Sequence, residues 1–406
     1  MKSLINGMIY LDSCFQKNKV LLFDDRIQEI LDLEFYRSSK ANYNITEEID
    51  AGGNFIIPGL IDTHIHGYGG FDTMDGSTKS IEAIAAQLPA NGVTAFLPTT
   101  MTMSMKRIEA SLLAIRTVMN SADTSGSMIL GAHMEGPFIN EAQKGAQSAE
   151  YIRLPDRNMI EKFKDILRVV TIAPEEEGAL NLIKDYCDQI NFSVGHTNAT
   201  FEQANAAFAA GAKGVTHLFN AMSGLKHRAP GVVGAALLSD TYAEIIADNF
   251  HLHKAIYPLV VKTKGYRRIL LITDCMNAGG MPEGTYDLGG QEVKVTCGQC
   301  RLHNGTLAGS ILKLNQGLYH FAKTLEEDHF SPTTSKDLLS EEPVSEVILA
   351  RTIPFVTENQ AQFLGVNDQM GTLDTGKLAN IVVMDTLCKI KKTFIKGKKV
   401  YEDQIS

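Results

Sequence analysis

The stretch FIIPGLIDTHIHG, residues 55–67, contains the pattern on which the fold prediction rests. An apolar run at 55–61 leads to His64 and His66, two side chains that can bind a metal ion. The same order recurs at four further runs: 128–132 before Glu135, 190–194 before His196, 214–216 before His217 and 269–273 before Asp274. Runs rich in Ile, Val and Leu without polar alternation are typical of strands buried on both faces, as in parallel sheets.

Three more apolar runs, at 94–97, 168–172 and 243–247, bring the number of predicted strands to eight. Helical patterns lie between most of them, at 80–87, 104–120, 174–188, 200–210 and 253–264. This alternation predicts an α/β fold, a (β/α)8 TIM-like barrel, whose active site gathers at the carboxyl ends of the strands. The metal-capable residues are therefore expected to meet in space.

The two ends of the chain read differently from the middle. Short strand-like pieces at 19–23 and 27–30 have no helical period, and the chain after Gly365 is rich in hairpin signals. We therefore expect a small β-sandwich domain built from residues 1–53 and 365–406, with the (β/α)8 barrel at 54–364. The polar segment 331–342 is predicted to be a connection into the last helices of the barrel.

Composition limits the class of protein without identifying it. A chain of 406 residues with 44% hydrophobic content can bury a large core. Its net charge of -9 argues against a nucleic-acid or membrane-surface role, and no apolar stretch has the roughly 20 residues of a membrane-spanning helix. A cytoplasmic location is the default expectation. The six cysteines are expected to be reduced, and the CxxC of Cys297 and Cys300 is read as a hairpin turn rather than half of a zinc site.

Each metal-capable residue also has a structural interpretation. An HxH pair such as His64 and His66 is common by chance on surface loops, and Asp274 could simply cap a helix. A carboxylate such as Glu135 at the end of a buried strand is costly unless it is paired or bound to a cation. His196 and His217, at consecutive strand ends, favour imidazole ligation over two separate core histidines. Beside a metal, Asp274 becomes a candidate general base.

The wording of several motifs resembles the N-acetylglucosamine-6-phosphate deacetylases of the amidohydrolase superfamily. The similar stretches, in family order over nearly the whole chain, include PGLIDTHIHG, HMEGPFIN, VGHTNA, VTHLFNAM, HRAPGVVGAAL, LLITDCMNAGG, GTLAGS and GTLDTGKLANIVVMD. The resemblance implies metal-dependent hydrolysis of an N-acetyl group in amino-sugar catabolism, giving glucosamine 6-phosphate and acetate. It also implies that Glu135, His196 and His217 hold one divalent ion, with His64, His66 and Asp274 completing a second site. The ions would be Zn, Fe, Mn or Co, one or two per subunit, and Asp274 would be the catalytic acid/base.

The same resemblance implies a set of substrate contacts and an assembly. The substrate-binding positions would be Ala146, Gln147, Asn220, Ala221, Arg228, His251, Leu307, Ala308 and Gly309, with Arg228 on the phosphate. The protein would be a homodimer, and His227 is a candidate for a contact with the neighbouring subunit's ligand. In two places the sequence departs from the family. Some members have a His where this chain has Gln147, so a role in polarising the acetyl carbonyl would pass to an uncharged amide or to the metal. Cys275 follows Asp274 where a small residue is expected.

Three alternatives stay open. A deacetylase of the galactosamine epimer would share all of these motifs. Another binuclear amidohydrolase, acting on a cyclic amide, would leave Arg228 and THLFNAM without a purpose. A non-catalytic scaffold on the same barrel would be expected to have lost metal ligands, and this chain has lost none.

Overall fold

A computed structural model describes residues 1–121, 126–326 and 342–404 of the chain, and its centre is a barrel of eight parallel strands. The barrel strands are Leu60–Ile65, Val93–Thr100, Ala132–Glu135, Leu167–Ile172, Asn191–Val194, Gly214–Val215, Tyr242–Ile246 and Ile269–Ile272. Each strand pairs in parallel with the next one along the chain. The backbone N–H of Asp274 donates to the carbonyl of His64 at 2.9 Å, which links the eighth strand to the first. The (β/α)8 prediction is confirmed.

Six of the eight predicted strands overlap a barrel strand over most of their length. Burial on both faces explains why their apolar runs mark these strands. Every residue of the first, second and eighth barrel strands is buried. The helices around and after them are Thr78–Gln87, Met105–Met119, Arg157–Phe163, Ala179–Tyr186, Phe201–Ala209, Gly231–Leu238, Ile256–Lys264, Leu314–Glu326, Glu346–Thr352 and Glu358–Leu364. No helix in these described ranges is both long and apolar enough to cross a bilayer.

Two predictions need correction. The run 128–132 is not one barrel strand, because it covers the short strand Met128–Ile129 and only the first residue, Ala132, of the third barrel strand. The run 55–61 is not a single barrel strand either. Phe55–Pro58 pairs antiparallel with Ile381–Met384 and parallel with Met8–Leu11, outside the barrel. The chain enters the barrel only at Leu60, after the backbone N–H of Gly59 has donated to the Asn380 carbonyl at 2.9 Å. A Cβ at Gly59 would lie 2.1 Å from the Thr94 hydroxyl oxygen, so only glycine fits at this junction.

The chain ends build two further sheets. A four-stranded sheet contains Lys2–Ile5, Lys19–Phe23, Ile27–Asp32 and Glu47–Asp50, and the short helix Leu33–Ser39 follows its third strand in sequence. A six-stranded sheet contains Met8–Leu11, Cys14–Gln16, Phe55–Pro58, Ile381–Met384, Ile390–Ile395 and Lys398–Glu402. Phe23, Ile56 and Phe394 share one apolar cluster that joins the two sheets. Both termini therefore contribute to the sheets beside the barrel, as expected.

A three-stranded antiparallel sheet follows the eighth barrel strand and is called the insert here. Its strands are Gly284–Leu288, Gln291–Thr296 and Gln299–Leu302. Cys297 lies in the turn of its second hairpin and Cys300 is buried in the last strand, so the hairpin interpretation of the CxxC is confirmed. The side chain of Gln291 donates to the carbonyl oxygen of Ala146, which connects the insert to a loop of the barrel. A small hairpin, Gly67–Tyr68 with Phe71–Asp72, follows the first barrel strand. The connection predicted at 331–342 lies outside the described residues, apart from Glu342.

Candidate active site

The six metal-capable residues are brought together at the carboxyl end of the barrel. His64 and Glu135 lie at the carboxyl ends of their strands, and His66 directly follows the first strand. His196, His217 and Asp274 each lie two residues beyond a strand end. These last three have left-handed backbone φ angles of 48°, 29° and 50°. Non-glycine residues in this region cost on the order of 1–3 kcal/mol each, and such conformations cluster at functional sites. The turn after each strand thus directs its side chain back over the barrel axis.

Glu135 is the centre of the group. Its Oε1 lies 3.1 Å from His196 Nε2, 3.0 Å from His217 Nε2 and 3.4 Å from His64 Nε2. Its Oε2 lies 3.3 Å from His66 Nε2. The four imidazoles therefore meet one carboxylate through the same ring atom, Nε2.

Asp274 completes a second set of ligand atoms on the other side. Its Oδ1 lies 3.1 Å from His66 Nε2 and 3.5 Å from His64 Nε2. The ligand atoms of Glu135, His196 and His217 form one compact group, and those of His64, His66 and Asp274 form another. Glu135 has an oxygen facing a histidine of each group, as a bridging carboxylate would.

In each of these four histidines, the other ring nitrogen, Nδ1, already has a hydrogen-bond partner. Nδ1 of His66, His196 and His217 faces the carbonyl oxygen of Thr99, Gln143 and Asn220 at 3.2, 3.0 and 3.2 Å, and Nδ1 of His64 faces the carboxylate of Glu244 at 3.0 Å. A carbonyl oxygen can only accept, so the proton of each neutral ring is on Nδ1 and the lone pair is on Nε2. Histidines that bind metals usually show this arrangement.

The residues present fit a divalent ion. Bonds of about 2.1 Å at tetrahedral angles leave ligand atoms roughly 3.4 Å apart. The contacts among Glu135 Oε1, His196 Nε2 and His217 Nε2 are 3.0 to 3.2 Å. In the described part of the chain, His64 Nε2 is buried without a hydrogen-bond partner, although it faces two carboxylates. Buried nitrogen and oxygen atoms that converge in this way suit Zn, Fe, Mn or Co alike.

The electrostatics of the cluster agree with this interpretation. Burial alone would raise the pKa of Glu135, but the charges of His64 and His196 outweigh it and hold this pKa well below its usual value. Burial opposes ionisation of Asp274 too, yet the hydrogen bond from His66 and the charge of His64 lower its pKa to about 2. For His66 burial lowers the pKa, whereas hydrogen bonds to Asp274 and Glu135 raise it to about 9. Both carboxylates are therefore anions at neutral pH, and a bound cation would replace imidazolium protons as their counter-charge.

A cavity of about 600 Å³ opens over this cluster. Of the predicted substrate positions, those in its wall are Ala146, Gln147, Asn220, Ala221, His251, Leu307 and Gly309. Ala308 is fully buried between two of them. His227 and Arg228 are exposed and are not part of the cavity wall of their own chain. The wall instead contains two cationic side chains that were not predicted, Lys144 and Arg301.

Comparison with known proteins agrees with this architecture. The amidohydrolase family model matches residues 55–400. The chain belongs to the amidohydrolase family. It is 37% identical over 361 residues to the N-acetylglucosamine-6-phosphate deacetylase of Bacillus subtilis (strain 168), covering 87% of this chain and 86% of that protein. It is 35% identical over 349 residues to the N-acetylgalactosamine-6-phosphate deacetylase of Escherichia coli O157:H7, covering 84% and 87%.

A solved structure of a deacetylase is also similar to this chain. A mutant N-acetyl-D-glucosamine-6-phosphate deacetylase from Mycobacterium smegmatis, in complex with N-acetyl-D-glucosamine 6-phosphate, superposes with a TM-score of 0.84. The two chains are 27% identical, and the match covers 98% of this chain and 99% of the other. The similarity therefore extends over the barrel and the terminal sheets together.

Three features of this amidohydrolase site were not found from the sequence. Glu244, in the middle of the seventh barrel strand, is buried and contacts the ring of His64. The sequence did contain an indication of this role, because Glu244 is a charged residue inside the apolar run 243–247. Gln147 was predicted to contact substrate, but its side chain donates to Glu135 Oε2 at 2.7 Å and accepts from the Thr102 backbone N–H at 2.7 Å. Lys144 and Arg301 had no signal in the sequence that would separate them from surface charges.

Proposed function

We propose that this chain hydrolyses the N-acetyl group of N-acetylglucosamine 6-phosphate to glucosamine 6-phosphate and acetate. The observation that carries the proposal is the convergence of four histidine Nε2 atoms on Glu135, with Asp274 beside them, at the floor of a cavity at the barrel mouth. Mononuclear and binuclear hydrolases both use such sets of ligands. The names of the relatives supply the class of substrate.

Three groups of this site have defined chemical roles in the proposal. A divalent ion bound by Glu135, His196 and His217 would polarise the amide carbonyl and make water a better nucleophile. Asp274, an anion at neutral pH, accepts a proton from the attacking water and returns it to the departing amine nitrogen. His66, which contacts Asp274 Oδ1, orients that carboxylate.

Gln147 has a different role from the one that the family pattern suggests. Its amide nitrogen is bonded to Glu135 and its amide oxygen to a backbone N–H, so both ends of the amide are occupied. We infer that Gln147 holds Glu135 in place, and that polarisation of the acetyl carbonyl does not depend on it.

The cavity is suited to an anionic sugar. Its volume of about 600 Å³ is within the range of small-molecule sites. Arg301 is held by hydrogen bonds from its Nε to Gln299 and from its Nη1 to the Gly305 carbonyl, which limits its motion. A guanidinium fixed in this way suits phosphate oxygens. Lys144 offers a second cation, and the ring of His251, ion-paired with Asp248 at 2.7 Å, lies in the same wall.

Arg228 and His227 can contribute to the proposed site only if two copies of the chain form a dimer. Both are exposed on residues 223–230, away from the cavity of their own chain. In the homodimer that we propose, they reach the phosphate bound to the neighbouring subunit. Asn220, Ala221, Leu307, Ala308 and Gly309 would surround the rest of the sugar, and Ala146 would line its entrance.

The galactosamine epimer is a second candidate substrate, because the relative from E. coli O157:H7 is named for it. The test measures acetate release by the purified protein from both phosphorylated epimers and from unphosphorylated N-acetylglucosamine, with metal per chain determined on the same sample. We expect turnover to require the phosphate and to be faster on the gluco epimer. Metal without turnover on any of the three would exclude the proposed substrate, and a protein without metal would support a non-catalytic scaffold.

A further inference from the structure

The carboxylate of Glu244 is buried beneath the metal ligands. The side chain projects from the seventh barrel strand, Tyr242–Ile246, and is about 2% exposed. Its Oε2 lies 3.0 Å from His64 Nδ1 and also accepts the backbone N–H of His217 at 3.2 Å. The same oxygen thus contacts the ring of His64, which belongs to one group of metal-capable residues, and the backbone of His217, which belongs to the other. Nothing in the catalytic scheme above uses this residue.

The ring of His64 is fixed from more than one side. His133, itself hydrogen-bonded to the Thr63 carbonyl and the Thr171 hydroxyl, packs edge-on against it with ring centroids 4.4 Å apart. Packing thus fixes the position of the His64 ring, and Glu244 determines which of its two nitrogens carries the proton. A carboxylate at Nδ1 retains the proton there and leaves the Nε2 lone pair directed at Glu135 and Asp274.

His64 differs from the other three histidines in this respect. The Nδ1 atoms of His66, His196 and His217 face neutral carbonyl oxygens, whereas that of His64 faces an anion. His64 Nε2 is also the ring atom that lacks any hydrogen-bond partner within the described ranges. A buried carboxylate with no metal ligand to orient would be costly to retain in a barrel core.

We propose that Glu244 is a positioning residue that selects the metal-binding tautomer of His64 and so gives the His64–His66–Asp274 group its affinity for a second divalent ion. This inference rests on the metal dependence of the proposed function, but not on the identity of the substrate. It predicts that the two ions respond differently to loss of Glu244. The ion at Glu135, His196 and His217 should be little affected.

The experiment titrates chelator-treated, full-length protein with Co²⁺, following the visible absorption of the bound ion and its stoichiometry by equilibrium dialysis. We expect two ions per chain in the wild type. In Glu244→Gln, the second ion should bind about 10- to 100-fold more weakly, as is usual when the outer partner of a metal-bound histidine is removed. The first ion should retain its affinity and its spectrum.

Asp62→Asn is the matched control. Asp62 is also a fully buried carboxylate beside His64, but it accepts backbone N–H groups and the Thr273 hydroxyl rather than a ring nitrogen. It should bind both ions as the wild type does. If Glu244→Gln does not fold by circular dichroism, Glu244→Asp replaces it, because this variant retains the charge but moves it away from Nδ1 and should also weaken only the second ion.

Three outcomes would overturn the inference: a wild type that binds a single ion, a Glu244 variant that binds both ions normally, or an equal loss of both ions. Failure of the proposed function gives a different pattern. A wild type that binds two ions with the expected dependence on Glu244, yet releases no acetate from the sugar phosphates, would retain the role of Glu244 and exclude the substrate.

Discussion

Arg228 provides a strong test of how two chains would share one site. It is exposed and outside the cavity wall of its own chain, so its predicted contact with phosphate requires a second copy. The perturbation combines two variants in one dimer: Arg228→Gln in one subunit and Asp274→Asn in the other. The subunits carry different affinity tags, and tandem purification isolates the mixed dimer.

The expected activity depends on which subunit supplies Arg228 and which supplies Asp274 to each site. Loss of a charge-assisted hydrogen bond costs about 1.5–3 kcal/mol, so Arg228→Gln alone should lower kcat/KM for the phosphorylated sugar by roughly 10- to 150-fold. Loss of a general base lowers kcat by about 100- to 10,000-fold. In the mixed dimer, one of the two sites has its own Asp274 and receives Arg228 from the other subunit. The purified mixed dimer should therefore have about half of the wild-type activity.

The assay is acetate release at a substrate concentration below KM. A mixed dimer of Asp274→Asn with wild type serves as the reference, since it too has one competent site and should give the same rate. Activity of the Arg228/Asp274 mixed dimer that stays at the level of the single variants would refute the reasoning, because Arg228 would then act on its own chain's cavity. A fully active monomer would refute it as well.

Other predictions concern single residues and pH. Asp274→Asn alone should retain the ion at Glu135 and lose most turnover; metal per chain and kcat measured together check this, and a near-normal kcat would contradict the acid/base role. Arg301→Gln should raise KM roughly tenfold for the phosphorylated sugar and leave kcat and metal per chain largely unchanged, and an unchanged KM would exclude a phosphate contact. In chelator-treated protein, the pKa of His66 is raised from 6.5 to about 9. The protonated His66 ring therefore stabilises the folded protein fully below pH 6.5, and this stabilisation is lost as the pH rises through 9. Thermal midpoints measured from pH 6 to 10 should fall accordingly, with a smaller fall in His66→Gln; equal profiles would refute this.

The barrel could be predicted from the sequence because local patterns determine it. Strands such as Leu167–Ile172 and Ile269–Ile272 are buried on both faces, and their apolar runs record that burial directly. The run 55–61 misled the prediction because it joins a strand outside the barrel to the apolar start, Leu60 and Ile61, of the first barrel strand, and both are fully buried. The break at Gly59 depends on a close approach to Thr94 that no local pattern reveals.

The site was only partly predictable, for a related reason. Residues at strand ends could be grouped because a barrel brings its strand ends together. Glu244 could not, because its partner His64 is 180 residues away in the sequence and the contact depends on which way one side chain points. The positions of Arg228 outside the cavity and Arg301 inside it likewise depend on loop paths, which composition and periodicity do not encode.

The barrel and the three-stranded insert contribute different parts of the site. The six metal-capable side chains come from barrel strands or the turns directly after them, whereas Leu288 and Arg301 in the cavity wall come from the three-stranded insert. The metal-capable residues and this part of the cavity wall are therefore encoded in different segments of the gene. A chimaera that exchanges residues 284–302 with those of a relative would alter two positions of the cavity wall and leave all six metal-capable side chains in place.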